Sequence, residues 1–260
     1  MAQATAQTAS DLVPNYEVKL LLNSSKVLGK DDKLHSEVLK AFAMPDSVTK
    51  MSIQFVDNTD KAIYQSGWSL RIRKVEKKDK FELNYKKRYP ISNGDIDGAV
   101  AQAAKDGFSA AGDYKPQVEW GYEKQTLSLS YEKKATDDTI TGMNLPDAEV
   151  SKKMLSKKPP AELEKTGEVG INSLSVPKIF GPVHAKRSTG TWKDLEVDIE
   201  IWPIRTANGE GMENVVEASF KADDHASALQ GHGALMEFLK EKGWFKPGDS
   251  LKTQLIMDRY

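Results

Sequence analysis

Arg71 and Arg73 alternate with Leu70 and Ile72 in the stretch Gly67-Trp68-Ser69-Leu70-Arg71-Ile72-Arg73. A strand sends successive side chains to opposite faces, so both guanidinium groups share one face and the apolar pair shares the other. After a polar connector, Val75–Lys80, a second strand alternates Phe81, Leu83 and Tyr85 with Glu82, Asn84 and Lys86. Late in the chain Glu196, Asp198 and Glu200 alternate with Val197, Ile199 and Ile201, the sharpest alternation present. Near its start Asn15, Glu17 and Lys19 share one face, while Tyr16, Val18, Leu20 and Leu22 share the other. Arg and Lys hold phosphate oxygens, Arg through a planar bidentate fork. Carboxylates hold hard divalent cations. Arg71, Arg73 and Lys86 come from one hairpin and Glu196, Asp198 and Glu200 from another strand, whereas a merely solvated face would be expected to mix signs along each strand. This segregation suits a ligand that carries both phosphates and metal ions. The plain alternative is a sheet with one face in water, which is normal for antiparallel sheets.

These side chains need elements to position them. The pattern predicts strands over Asn15–Leu22, Met51–Val56, the hairpin of residues 67–88, two strands within Gln117–Tyr131 around a turn at Gly121–Lys124, Glu196–Trp202 and Val215–Lys221. Val183–Arg187 reads as short and extended, and Ser250–Met257 as a terminal strand with Lys252 and Gln254 opposite Leu251, Leu255 and Met257. Helices are expected over Asp31–Phe42, capped by Asp31 or Asp32, within Ile91–Phe108, over Asp147–Leu155, and over His225–Gly243 despite Gly231 and Gly233. Residues 1–14 read as a loose arm, residues 15–260 as one domain, and residues 136–176 as a helical and loop insertion within it. Helices must cover the apolar strand faces. If the sheet closes, the charged faces line the interior, and a closed antiparallel barrel of roughly eight strands can hold a small ligand.

Composition sets the bounds. The 260 residues can bury a sizeable core, and 39% hydrophobic with 29% charged residues fits a soluble globular chain. With 37 basic and 38 acidic residues, no bulk charge argues for DNA or a membrane surface, so any polyanion site is a local concentration of charge. No cysteine is present, which excludes disulfides, thiolate metal sites and cysteine nucleophiles. No apolar run approaches the roughly 18 residues of a spanning helix. Met1–Ser10 lacks the apolar core of a signal peptide. Either a cytoplasmic protein or a mature secreted chain fits, and the oligomeric state is open. The four histidines read as structural or exposed; His225 and His232 lie seven apart on a helix without carboxylate spacing for zinc.

In order, these motifs resemble the CYTH family, the triphosphate tunnel metalloenzymes. The family's first strand, ExExK, has its counterpart in Asn15-Tyr16-Glu17-Val18-Lys19, with Asn in place of the first Glu. An aspartate turn follows at Asp57-Asn58-Thr59, then the Gly-x-x-Leu-Arg-x-Arg segment ending at Arg73 and a strand ending Leu83-Asn84-Tyr85-Lys86. The acidic strand Glu196–Glu200 and the strand Val216–Lys221 come late. The resemblance covers about residues 15–90 and 183–260. It implies an α+β fold: a closed antiparallel eight-stranded β tunnel with helices packed outside. It implies hydrolysis of a triphosphate or polyphosphate with Mg²⁺ or Mn²⁺. The metal ligands would come from Glu17, Glu196, Asp198 and Glu200, and the phosphate ligands would be Arg71, Arg73, Lys86, Arg187 and Lys221. Lys19, with Glu17, would lie near the reacting phosphate. Lys252 reads either as a phosphate ligand or as a solvated strand end; Glu82, Glu119 and Glu217 read as lumen residues or surface charges. An adenylate cyclase of the same fold and a non-catalytic polyanion binder are the alternatives, the latter because Asn15 lacks a charge.

Overall fold

The computed structural model describes residues 11–165, 169–249 and 251–260. Most of the expected arm, residues 1–10, lies outside the described residues. Beyond them Leu12 is buried in the core, and the Ala110 N–H donates to Asp11 Oδ1 at 3.0 Å.

The strands are β1 (Asn15–Leu22), β2 (Thr49–Asp57), β3 (Trp68–Val75), β4 (Phe81–Ile91), β5 (Lys115–Trp120), β6 (Gln125–Ala135), β7 (Lys178–Trp192), β8 (Leu195–Arg205) and β9 (Met212–Ala222). The helices are α1 (Ser24–Val27), α2 (Ser36–Ala41), α3 (Ala62–Gln65), α4 (Ile96–Lys105), α5 (Ala148–Leu155), α6 (Ala161–Glu164), α7 (His225–Glu241) and α8 (Lys252–Arg259). The strands close into a barrel in the order β1-β5-β6-β4-β3-β2-β7-β8-β9, with β9 pairing back onto β1. This corrects the expectation of eight antiparallel strands. Among the described residues there are nine, and β1 runs parallel to β5. Alternation tells which side chains share a face; it does not tell which strand lies alongside or in which direction.

Outside, the apolar strand faces are covered by helices. Under α7, Leu235 and Leu239 are fully buried with Val18, Leu20 and Phe220. Gly231 lets the helix approach, because a Cβ there would stand 2.5 Å from the Phe220 ring. Gly190 does the same for β7, whose Thr191 N–H donates to the Phe42 carbonyl at 2.7 Å. Asp57, at the expected turn, accepts from the N–H groups of Asn58, Ile63 and Tyr64 and so fixes the start of α3. In the insertion, Asp147 caps α5 through the Val150 N–H, and buried Gln54 of β2 donates to Pro146 O and Ser151 Oγ.

Several boundaries move. The helix expected over Asp31–Phe42 is confined to α2, because Asp32 turns left-handed at φ 53° and His35 takes the N-cap place. Leu34, Val38 and Phe42 are buried nonetheless. The connection Ile91–Phe108 begins as the end of β4, and its helix starts after Asp95, which caps the Gly98 N–H at 2.8 Å. Val183–Arg187 is the middle of a 15-residue strand with a register shift opposite Ile53 and Phe55.

The expected terminal strand is the helix α8 instead. Its buried residues Thr253, Ile256 and Met257 follow helical spacing, whereas Leu251 is exposed. Ile256 and Met257 join Met51, Ile53, Phe55, Phe180, Val183, Trp202 and Ile204 in an apolar cluster separate from the outer core. Phe55 and Ile53 pair across β2–β3 with Arg71 and Arg73, so this cluster fills part of the lumen face itself. Burying side chains such as Ile256 and Met257 contributes about 1.5–3 kcal/mol each, which holds α8 in the barrel end. Among the described residues no helix is long and apolar enough to cross a membrane.

Candidate functional site

The inward-facing positions of the strands enclose a cavity of about 470 Å³. Register brings its residues together across long sequence distances. Glu17 of β1 lies opposite Glu119 of β5 on one side and Lys221 of β9 on the other. Arg71 pairs with Asn84, and Arg73 with Glu82. Glu200 pairs with Arg187 and with Glu217.

The lining includes Glu17 and Lys19 from β1, Arg71 and Arg73 from β3, and Lys86 from β4. Arg187, Asp198, Glu200 and Lys221 line it from β7, β8 and β9. Glu196 is exposed and is not part of the lining, because it lies at the end of β8 next to the turn from β7. Glu119 and Glu217, ambiguous in sequence, are buried in the lumen, while Glu82 pairs with Arg73. Lys252 reaches the cavity from α8. Arg88 lines it as well and was missed. The signal was available, since it stands two residues beyond Lys86 on the same face of a strand that runs to Ile91. His232 is structural: its Nε2 hydrogen-bonds the Gly121 carbonyl at 2.7 Å, and it stacks on Trp120, as does His225.

Two acid-centred networks organise the charge. Glu119, with its side chain 3% exposed, takes Lys19 at 3.4 Å, Lys86 at 2.5 Å and Arg88 at 3.8 Å. Burial works against its charge, but Lys19, Lys86 and Arg88 outweigh burial and hold the carboxyl well below the usual range. Glu200 takes Arg187 at 2.7 Å and Lys252 at 2.6 Å, and these two cations again overcome burial and depress its pKa. Asp198 receives Thr189 Oγ1 and lies 3.5 Å from Arg187.

The cations respond unequally. Burial disfavours the charge on Lys19, yet Glu119 and Glu17 together raise its pKa. Burial lowers that of Lys86 to about 8, since Glu119 offsets it only in part and Arg88 and Lys19 add like charge. Both lysines hold Glu119, and the difference is that Lys19 has Glu17 at 2.9 Å as a second acid. Arg71 is the most exposed to conflict. Burial, with Arg73 beside it, presses its pKa down to about 9, and its buried Nε has no hydrogen-bond partner among the described residues. The cavity ion pairs of Glu119 and Glu200 leave it out.

A divalent metal held by the protein needs several oxygen ligands that converge and are free. Among the described residues no three His, Cys, Asp or Glu side chains converge as a ligand group. Glu17, Asp198, Glu200 and Glu217 are each engaged by Lys or Arg. The residues therefore do not fit a resident metal ion held by the protein alone.

No protein-family model and no curated protein matches the chain. Solved structures do. A candidate adenylyl cyclase from Hippeastrum, described as having a dominant triphosphatase activity, superimposes with a TM-score of 0.53 at 16% identity, over 93% of this chain and 94% of that one. A candidate adenylate cyclase from Bacillus halodurans gives a TM-score of 0.53 at 12% identity, over 93% and 96%. The fold is the CYTH fold. Identities this low carry the fold and not the chemistry. Relative to the motifs that signalled the CYTH resemblance, Arg71, Arg73 and Lys86 stand together in the lumen, and Asn15 lines it in the place of a Glu.

Proposed function

We propose that the cavity holds the polyphosphate portion of a small-molecule triphosphate, or inorganic polyphosphate, and that the protein hydrolyses it. The observation that carries this reading is Arg71. A buried guanidinium with an unsatisfied N–H is costly, and a phosphate oxygen relieves both the lost hydrogen bond and the repulsion from Arg73. Arg71, Arg73 and Lys86 bind the anion, with Arg187 and Lys221 as further contacts and Lys19 beside Glu17 near the reacting phosphate. Little covalent work is then asked of the protein, because positioning and charge stabilisation dominate phosphoryl transfer. Mg²⁺ or Mn²⁺ enters as part of the substrate, since a triphosphate carries a divalent ion that neutralises its oxygens. A second reading, binding without turnover, is favoured by the pairing of Glu17, Glu119, Glu200 and Glu217 with lysines and arginines, which competes with any role for them in orienting a water.

The test is calorimetry with tripolyphosphate alongside assays of phosphate and cyclic AMP release from tripolyphosphate and ATP, with and without metal. Tripolyphosphate is expected to bind, and Arg71→Ala to weaken it by about 1.5–3 kcal/mol, roughly ten- to a hundredfold, with the fold intact. Phosphate release supports hydrolysis, and binding alone supports the second reading. Cyclic AMP in place of phosphate from ATP would replace hydrolysis with cyclisation, and absence of binding overturns the site.

A further inference from the structure

Glu200 of β8 and Glu217 of β9 are direct partners in the antiparallel register, so their carboxylates stand side by side on the lumen face. Their side chains are only 10% and 5% exposed. Two such carboxylates repel one another and require a cation. The helix α8 supplies it. Lys252 Nζ donates to Glu200 Oε2 at 2.6 Å and to Glu217 Oε1 at 2.8 Å. Trp202 lies beneath the ammonium, 4.7 Å from the ring centroid, and its Nε1 donates to the same Glu200 oxygen at 2.8 Å. The other Glu200 oxygen receives both Nε and Nη2 of Arg187. The lysine is held from behind as well: Ile256 and Met257 are buried in the apolar part of the lumen, and Thr253 Oγ1 receives Arg88 Nη2 at 3.4 Å.

A hard divalent ion needs carboxylate oxygens that are free to coordinate it. Here an ammonium already sits between them, tethered to the chain and present at high effective concentration. We propose that Lys252 is the built-in cation of this cavity: it takes the place between Glu200 and Glu217 that a divalent metal would otherwise fill, and so keeps Mg²⁺ and Mn²⁺ out of that end of the barrel. The inference rests on the polyphosphate reading for its consequence, which is that a divalent ion reaches the cavity on the anion and not ahead of it.

The experiment is a Mn²⁺ titration of the full chain without any phosphate, following the spin-resonance signal of the free ion. Wild type and Glu217→Gln are expected to bind Mn²⁺ alike. Lys252→Gln is expected to gain a Mn²⁺ site at least tenfold tighter than anything in wild type, and the double variant Lys252→Gln with Glu217→Gln to lose it. Lys252→Arg, which keeps the charge, should behave as wild type. The proposal is overturned by tight Mn²⁺ binding in wild type that Glu217→Gln abolishes, or by a folded Lys252→Gln that binds no better than wild type. Should Lys252→Gln fail to fold, the comparison of wild type with Glu217→Gln decides alone. No triphosphate enters the measurement, so its failure and a failure of tripolyphosphate binding are separate results.

Discussion

Burial brings the ammonium of Lys86 within reach of ordinary working pH. Its burial lowers its pKa to about 8, while an unfolded lysine titrates near 10.4. Between these values the folded chain binds fewer protons than the unfolded one, so the burial of a charged Lys86 costs stability below pH 8, and that cost fades as pH rises toward 10.4. A bound phosphate acts the other way by restoring the charge. Tripolyphosphate affinity is therefore expected to fall as pH rises from 7 to 9, with proton uptake at pH 8.5 that shows as different heats in Tris and in HEPES. Lys86→Gln should flatten that dependence; an unchanged pH slope in the variant would exclude Lys86 from the site. The inward placement of Lys86, Arg71 and Arg73 was legible from strict alternation in adjacent strands. The partner that tunes Lys86 was not. Glu119 reaches it from a strand far along the chain, and one residue's alternation says nothing of what stands across a closed lumen.

Among the elements, α7 shows how a helix can carry a glycine for a packing reason. A Cβ at Gly231 would meet the Phe220 ring at 2.5 Å, and one at Gly233 would meet nothing within 4 Å. Gly231→Ala is thus expected to overpack the seam between α7 and β9 and to cost about 1–3 kcal/mol. Gly233→Ala, in the same helix, should gain about 0.5–1 kcal/mol from reduced chain entropy and better helix propensity. Denaturant melts of the two variants check this, and equal shifts would mean that Phe220 yields freely. From sequence, α7 was legible through its apolar side even with both glycines present, because Leu235 and Leu239 outweighed them. The end of the chain was not: Leu251, Leu255 and Met257 fit a strand's alternation, and only Ile256 beside Met257, buried together, reveals the helical period. A short amphipathic segment satisfies both periods, and the packing surface decides between them.

For the molecule as a whole, stability leans on carboxylates held ionised inside the barrel. Glu119 and Glu200 both have pKa values depressed in the fold by their Lys and Arg partners. A depressed carboxyl contributes stability that is fully present above its unfolded value near 4.3 and is lost as pH falls toward the folded one. The melting temperature is therefore expected to drop steeply as pH is lowered below about 4.5, with Glu200→Gln already lower at neutral pH and less sensitive to acid. Thermal melts across pH 3 to 7 check it, and parallel curves for the two proteins would remove Glu200 from the account. The α+β barrel class was legible because many strands shared one charged face and the intervening segments read as helices. Strand number and closure were not, since both depend on which distant strands meet. That closure has a consequence for how the chain is made. The first strand, β1, is sealed between β5 and β9, so it waits through the synthesis of the entire barrel for its second neighbour, which is complete only at Ala222. Pairings this distant slow folding and leave an open edge on the growing chain. An unfinished copy thus offers the unpaired edge of β1 to other chains, and the yield of folded protein depends on how quickly the last third of the polypeptide arrives.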